Sequence, residues 1–288
     1  DERFSSAGEF VLALRYATTG IAPAARAAPV APPPPLEVVN PYKGLRPFEE
    51  ADAEDFFGRE ALVRRLIEQL ETPTTLKSSS QPRVIVPFRF LAVVGPSGSG
   101  KSSVVKAGLI PALRRGFLPG SSQWLITQMT PGSHPMQQLE DELLQVASQP
   151  VADLGKRLRA STRGLANILP ELLPDSTSEV LLVVDQLEEV FTRATDESER
   201  LLFLESLQNA VMAADSRLRV IITLRADFYD RPLLYAKFGA LMQQRTEVVL
   251  PLSPVDMAQA IIGPAERIGI TFERGLPMEI AAELAEQP

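Results

Sequence analysis

Gly95-Pro96-Ser97-Gly98-Ser99-Gly100-Lys101-Ser102 has the spacing GxxxxGK[ST], and each residue type in it answers a demand of phosphate chemistry. Glycines let the chain curl until successive backbone N–H groups, those of Gly98 to Ser102, converge on anionic oxygens. A helix opening directly afterwards adds its positive N-terminal end. Lys101 brings a mobile point charge for β- and γ-phosphates, the Ser102 hydroxyl is a hard oxygen donor suited to Mg²⁺, and the set of contacting residues runs on to Ser103. An apolar run over 90–94 precedes the loop and a helical pattern over 103–114 follows it. The reading is a cradle for a nucleoside triphosphate; the plainer alternative is a glycine-rich hairpin beside a surface lysine.

A second element fits the same chemistry. Leu181-Leu182-Val183-Val184-Asp185 is an apolar run ending in an acid, the pattern of a Walker B strand, and Gln186-Leu187-Glu188-Glu189 follows directly. A carboxylate at the C-terminal end of a buried strand lies where open α/β sheets bind ligands, so Asp185 is the metal-side residue. Hydrolysis also needs a group that orients or deprotonates water. Glu188 and Glu189 are both candidates, or they only complement the start of the next helix. A third element, Arg219 to Arg225, ends another buried strand with a cation: Arg225 either senses the γ-phosphate or forms an ion pair with Asp227 or Asp230. Phe57-Gly58-Arg59-Glu60 reads as a glycine turn entering a helix. His134, before Pro135, reads as a helix-entry turn without a chemical role, and Trp124 as core.

These residues need a scaffold that brings strand ends together. Apolar runs over 88–94, 124–128, 180–184, 218–224 and 246–250 predict five buried strands. Helical patterns over 61–70, 135–147, 197–214 and 255–268 alternate with them, with a stripe of Leu201, Leu204, Leu207 and Val211 in the third. That alternation predicts an α/β fold, a parallel sheet with helices on both faces. The stretch 71–81 reads as a polar loop. Before the core, residues 1–20 carry a short helical pattern (Phe10, Leu12, Leu14, Tyr16) that reads as the tail of an upstream region. Residues 21–39, rich in alanine and proline and including Pro32 to Pro35, read as a semi-rigid linker.

Composition narrows the function classes. Of 288 residues, 45% are apolar and 23% charged, with net charge −7, so nonspecific nucleic-acid binding, which needs a basic footprint, is disfavoured. With no cysteine and one histidine, disulfides, thiolate nucleophiles and Cys- or His-ligated metal sites are excluded, leaving Mg²⁺ bound with nucleotide as the implied metal. No long apolar span or signal peptide is recognisable, which makes a cytoplasmic location the default and a membrane partner unexpected. The chain reads as a piece of something longer.

Together, Phe-Phe-Gly-Arg-Glu at 56–60, the glycine loop, Val-Val-Asp-Gln-Leu-Glu-Glu at 183–189, the strand ending in Arg225, and Val249-Leu250-Pro251-Leu252-Ser253 resemble the STAND class of P-loop NTPases. Asn-Pro-Tyr-Lys-Gly-Leu-Arg-Pro-Phe at 40–48 is similar to the bacterial novel-STAND group, often fused to WD40-type repeats. The resemblance covers 40–288. It implies an ASCE-type core over 40–252 with sheet order 5-1-4-3-2, the beginning of a helical lid over 253–288, ATP or ADP as nucleotide with Mg²⁺, adenine contacts at Phe57, Gly58 and Arg59, and a sensor role for Arg225. It also implies a switch with an ADP-held resting state, ATP-driven self-association, an upstream effector and a downstream sensor, serving bacterial signalling or defence. Many relatives carry Asp-Glu where this chain has Glu188-Glu189. Two competing readings are a continuously cycling ASCE or AAA-like ATPase and a hydrolysis-deficient assembly scaffold.

Overall fold

The computed structural model describes residues 40–44, 46–71, 74–76, 84–86 and 89–285. By its contacts the chain divides into 1–39 and 40–288; the helical pattern and the linker expected before residue 40 lie outside the described residues. Among the described residues no helix is long and apolar enough to cross a membrane.

Helix α1 (Glu60–Glu71) is followed by a short antiparallel pair, β1 (Thr74–Leu76) and β2 (Val84–Val86). This corrects the polar loop expected over 71–81: three-residue strands are too short to show an alternation, and their β-branched content is the only trace they leave. Five further strands form the main sheet: β3 (Phe90–Gly95), β4 (Leu125–Met129), β5 (Val180–Val184), β6 (Leu218–Arg225) and β7 (Thr246–Val248). All neighbours pair parallel in the order β4-β5-β6-β3-β7. Counted within this sheet that is 2-3-4-1-5, the expected 5-1-4-3-2 read from the other edge.

Every residue of β3 and β5 is buried, because helices cover both faces, and period-two alternation then decides only which layer a residue joins. Phe90, Ala92, Val94, Leu182, Val184 and Ile222 face one cluster. That layer is closed by α3 (Pro135–Val146), α4 (Leu154–Arg159), α5 (Gly164–Leu172) and α7 (Glu197–Met212), with the one-turn α6 (Glu189–Thr192) between strand and helix. Leu91, Val93, Leu181, Val183 and Ile221 face the other cluster, with Leu62, Leu66 and Leu70 of α1, Trp124, and the helix after the glycine loop. That helix, α2, runs over 101–114 and is π-helical over Val104–Leu109. Its Gly108 admits α1 closely, since a Cβ there would lie 2.6 Å from Val63 Cγ2.

On α7 the buried face is Phe203, Leu204, Leu207, Ala210 and Val211, while Leu201 is exposed. Leu201 stands about 120° round the helix from Leu207 at 3.6 residues per turn, so the expected stripe was drawn one residue type too wide. Helices α4 and α5 escaped the sequence reading because they are short and α5 contains Pro170. Two more, α8 (Asp230–Leu233) and α9 (Ala236–Gln244), lead into β7.

The last two helices, α10 (Pro254–Arg267) and α11 (Leu276–Ala285), pack together. The Ser253 hydroxyl caps α10 by accepting from Asp256 N at 3.1 Å. Segment 40–59 spans α2 and α10 like a strap. Phe48 N donates to Ser103 Oγ at 3.1 Å, Glu50 pairs with Arg114, Tyr42 Oη donates to Ile261 O at 2.6 Å, and Arg267 pairs with Asp55 at 2.7 Å. The closest approaches need glycine: a Cβ on Gly263 would lie 2.4 Å from the Phe57 ring, and one on Gly58, at φ +80°, 2.2 Å from Asp256 O. Gly58→Ala is therefore expected to lower unfolding stability by at least about 1–3 kcal/mol, from left-handed strain plus the backbone clash. Urea unfolding followed by circular dichroism checks this, and an unchanged midpoint would contradict the close packing of 58 against α10.

Candidate nucleotide-binding site

Parallel pairing brings the C-terminal ends of β3, β5 and β6 to one edge. Gly95 lies beside Arg225, and Val184 beside Ile222. The glycine loop after β3, Asp185 after β5 and the Thr223–Arg225 end of β6 therefore converge. This is where parallel sheets expose N–H groups and helix N-termini to a ligand.

The loop curls through Gly98 at φ +75° and Gly100 at φ +86°, conformations that only glycine adopts without strain. Gly95 is equally constrained, since a Cβ there would meet Val249 O at 2.5 Å. Residues 101–103 open α2, so their N–H groups have no partner further back in the helix, and such an end favours an anion. The Ser99 hydroxyl is buried without a hydrogen-bond partner, a further polar group left unsatisfied in the loop. Lys101 is 8% exposed and folds back, its ammonium donating to Gly95 O at 3.0 Å and Pro96 O at 2.7 Å. Burial pushes its pKa below that of an ordinary lysine, against the pull of Glu188 and Asp185, and Arg225 adds to the lowering.

Asp185, 3% exposed, is bonded on every side. Its Oδ1 accepts from Ser102 Oγ at 2.6 Å and from Thr223 Oγ1 at 2.7 Å, and Lys106 Nζ lies 3.3 Å from Oδ2. Burial works to lower the pKa of Lys106, but Asp185 and Glu49 outweigh it and hold the group above the usual lysine value. Thr223 and Lys106 were not singled out by sequence reasoning. The signals were there: a lone hydroxyl near the end of an apolar strand, and a lysine one helical turn past Ser102. Gln186, next in the chain, takes φ +57°, a conformation costing a non-glycine residue about 1–3 kcal/mol. Its N–H is held by Thr223 Oγ1 at 2.8 Å. This turn aims the acids that follow.

The two glutamates diverge. Glu188 sits between Lys101 and Arg225, accepts from Arg225 N at 3.3 Å, and is raised in pKa, chiefly by burial, with those two cations opposing the rise. Glu189 turns the other way, accepting from Gly132 N at 3.2 Å and pairing with Arg193 at 3.2 Å. The Arg225 guanidinium pairs with Asp227 at 2.7 Å and lies 5.3 Å from the Phe228 ring centre. Of its two sequence readings, the ion pair is the one formed here. His134 is exposed at the entry to α3, and Trp124 is buried beneath Arg219.

A cavity of about 530 Å³ opens between loop residues Ser97 to Gly100, the turn around Phe57 and Arg59, and α10 at Met257 and Ala260. Arg59 joins its walls, donating to Ser99 O at 3.0 Å while Asp256 supports its charge against burial, which lowers its pKa. Another cavity of about 530 Å³ lies by α5, α7 and Ser216; it holds none of the loop residues and sits by the start of β6, at the opposite edge of the sheet.

Among the described residues no three His, Cys, Asp or Glu gather as a metal cage. One hydroxyl and one carboxylate, both hard oxygen donors, suit Mg²⁺, which takes one or two protein ligands and completes its shell from phosphates and water.

Comparison with known proteins gives a family and distant structural neighbours. The family model Novel STAND NTPase 1 matches residues 41–288. No curated protein matches. Solved structures that resemble the chain include a closed-state reconstruction of Hsp104 with ATPγS and FITC-casein (TM-score 0.47, 15% identity, 75% of this chain and 31% of that one). An extended S. cerevisiae Hsp104–casein complex is similar (TM-score 0.43, 16% identity, 73% and 30%). The chain thus spans about a third of the length of those structures.

The raised Glu188 pKa carries a sign. A folded-state pKa above the unfolded one stabilises the protein fully below the unfolded value, near 4.5, and that contribution is lost as pH rises through the folded value. Glu188→Gln should therefore gain stability relative to the wild type as pH rises above about 4.5. Urea midpoints of both proteins at pH 4 and pH 7 test this; a constant difference would mean that Glu188 is not held in a charge-disfavouring site.

Proposed function

The match over 41–288 places the chain in the Novel STAND NTPase 1 family, a family of nucleotide-binding NTPases, and from that premise we propose that it is a slow, regulatory ATPase switch. The observation that carries the reading is the 2.6 Å hydrogen bond from Ser102 to Asp185 beneath the glycine loop, with Glu188 turned toward Lys101.

In this proposal the loop N–H groups and Lys101 bind the phosphates. Two of the three ammonium donors rest on Gly95 O and Pro96 O, which orients the ammonium over the loop and leaves the third for a phosphate oxygen. Ser102 and Asp185 would hold Mg²⁺, which supplies neutralisation of phosphate charge. Glu188 is the group that takes a proton from water: its burial raises its basicity, and its neighbours Lys101 and Arg225 mark the phosphate side. Glu189 positions the loop at Gly132 instead. Arg225 reaches a γ-phosphate only when its pair with Asp227 opens, which suits a resting state.

Phe57, Arg59, Ser97 and Ser99 wall the cavity for the base and sugar, while Gly58 packs against Asp256 of α10 and holds the turn between Phe57 and Arg59 in place. Residues 40–252 form the core and the α10–α11 pair the beginning of a helical lid, with 1–20 and 21–39 as upstream tail and linker. The switch is held with ADP, exchanges to ATP, self-associates, and activates an attached effector in the bacterial cytoplasm, in signalling or defence, under a sensor such as WD40-type repeats. A second reading, an assembly scaffold without turnover, is favoured by the closed Arg225–Asp227 pair alone.

Lys101→Ala is expected to weaken ATP binding roughly 10- to 100-fold, the worth of a charge-assisted hydrogen bond. Glu188→Gln should retain binding and lose turnover about 100-fold or more, while Glu189→Gln loses far less. Isothermal titration and phosphate-release assays measure these. Equal turnover in wild type, Glu188→Gln and Glu189→Gln would favour the scaffold, and unchanged affinity in Lys101→Ala would sink the site.

A further inference from the structure

We infer that Lys106 is a built-in competitor for the divalent cation at Asp185, and that Glu49 sets how strongly it competes. The inference rests on the proposed metal role of Ser102 and Asp185. The Lys106 ammonium lies 3.3 Å from Asp185 Oδ2 and 3.1 Å from Glu49 Oε1. The other Asp185 oxygen takes two hydroxyls, from Ser102 and Thr223. Among the described residues Lys106 is thus the one cation paired with a carboxylate whose side chain is 5% exposed.

Charge arithmetic follows from that arrangement. Asp185 alone presents one negative charge to a dication, and Lys106 cancels it at contact distance, where water does little to screen the pair. A metal ion bound through Asp185 therefore meets repulsion from Lys106 or has to displace it. Glu49 offers the ammonium another place. Its side chain is half exposed, and it lies beside α2 because the adjoining Phe48 N–H is bonded to Ser103 Oγ at 3.1 Å. With the strap seated, Lys106 is shared between two acids and its hold on Asp185 weakens. With Glu49 withdrawn, Lys106 belongs to Asp185 alone. Metal affinity at the site thus reads the position of a segment that precedes the glycine loop by a whole helix and a strand pair.

The test is Mn²⁺ binding to the whole chain in the presence of a non-hydrolysable ATP analogue, followed by electron paramagnetic resonance of free Mn²⁺. Removing the cation in Lys106→Met should tighten Mn²⁺ about fivefold, and Glu49→Gln should loosen it about threefold, as partly screened charges at these distances do. Lys106→Arg should stay near wild type. In Lys106→Met/Glu49→Gln the effect of Glu49 should shrink to a small residue, because its route through Lys106 is gone. Unchanged or weaker Mn²⁺ binding in Lys106→Met overturns the inference. So does a full Glu49→Gln effect persisting in the double variant, which would mean that Glu49 acts by its own charge. Glu49 is exposed enough that its variant folds even where Lys106→Met does not, and an unchanged Mn²⁺ affinity in Glu49→Gln alone overturns the inference too. Ser102→Ala separates the two levels: if it leaves Mn²⁺ binding intact, the metal reading itself falls, and this inference with it.

Discussion

A carboxylate removed from water must have its charge answered on the spot, and in this chain that requirement falls on Asp185. The partners that answer it come from separate parts of the chain: Ser102 at the start of the helix after the glycine loop, Thr223 on a neighbouring strand, and Lys106 a turn further along the helix. Their convergence fixes the relation between loop, strand end and helix. Apolar packing alone would leave that relation free to slide by a fraction of an ångström, because leucines and valines interdigitate with little directional preference, whereas short hydrogen bonds do not slide.

Order spreads outward from that point. Thr223 accepts from Gln186 N while donating to Asp185, so a single hydroxyl fixes both the acid and the strained turn after it. Past the turn the chain enters a helix, where successive side chains stand about 100° apart, so Glu188 reaches toward Lys101 and Arg225 and Glu189 toward Gly132. Neighbours in sequence thereby acquire different electrostatic surroundings. At the other end of the strands, Arg89 and Arg219 share Glu179, two cations on one acid and well away from the glycine loop.

Much of this was legible in the residues. Continuous apolar runs marked the buried strands, because burial on both faces removes the polar positions that would mask them, and the strand order followed once the family resemblance was recognised. The glycine loop was legible because its conformation admits few residues. Less readable were features that depend on direction. Nothing in Glu188-Glu189 tells which acid turns toward Lys101, since the answer lies in where the helix after Gln186 begins. Lys106 looked like any helix lysine, because its partners are distant in sequence. Leu201 shows the reverse case: its residue type suggests an apolar face, but its angle around the helix axis puts it in solvent. The short pair β1–β2 and helices α4 and α5 were missed because each is shorter than the repeat that would reveal it.

The strap has a kinetic corollary. Its bonds to α10 join residues 219 and 213 positions apart, Tyr42 to Ile261 and Glu54 to Arg267. Contacts of such separation close large loops and form late. During synthesis the strap can meet α2 first, through Phe48 and Glu50, but its contacts with α10 wait until the helix carrying Ile261 and Arg267 has also emerged. The glycine loop and its acid can assemble from the sheet and the helix that follows the loop, but the cavity's outer wall closes only when the strap and α10 meet, so that wall is completed last.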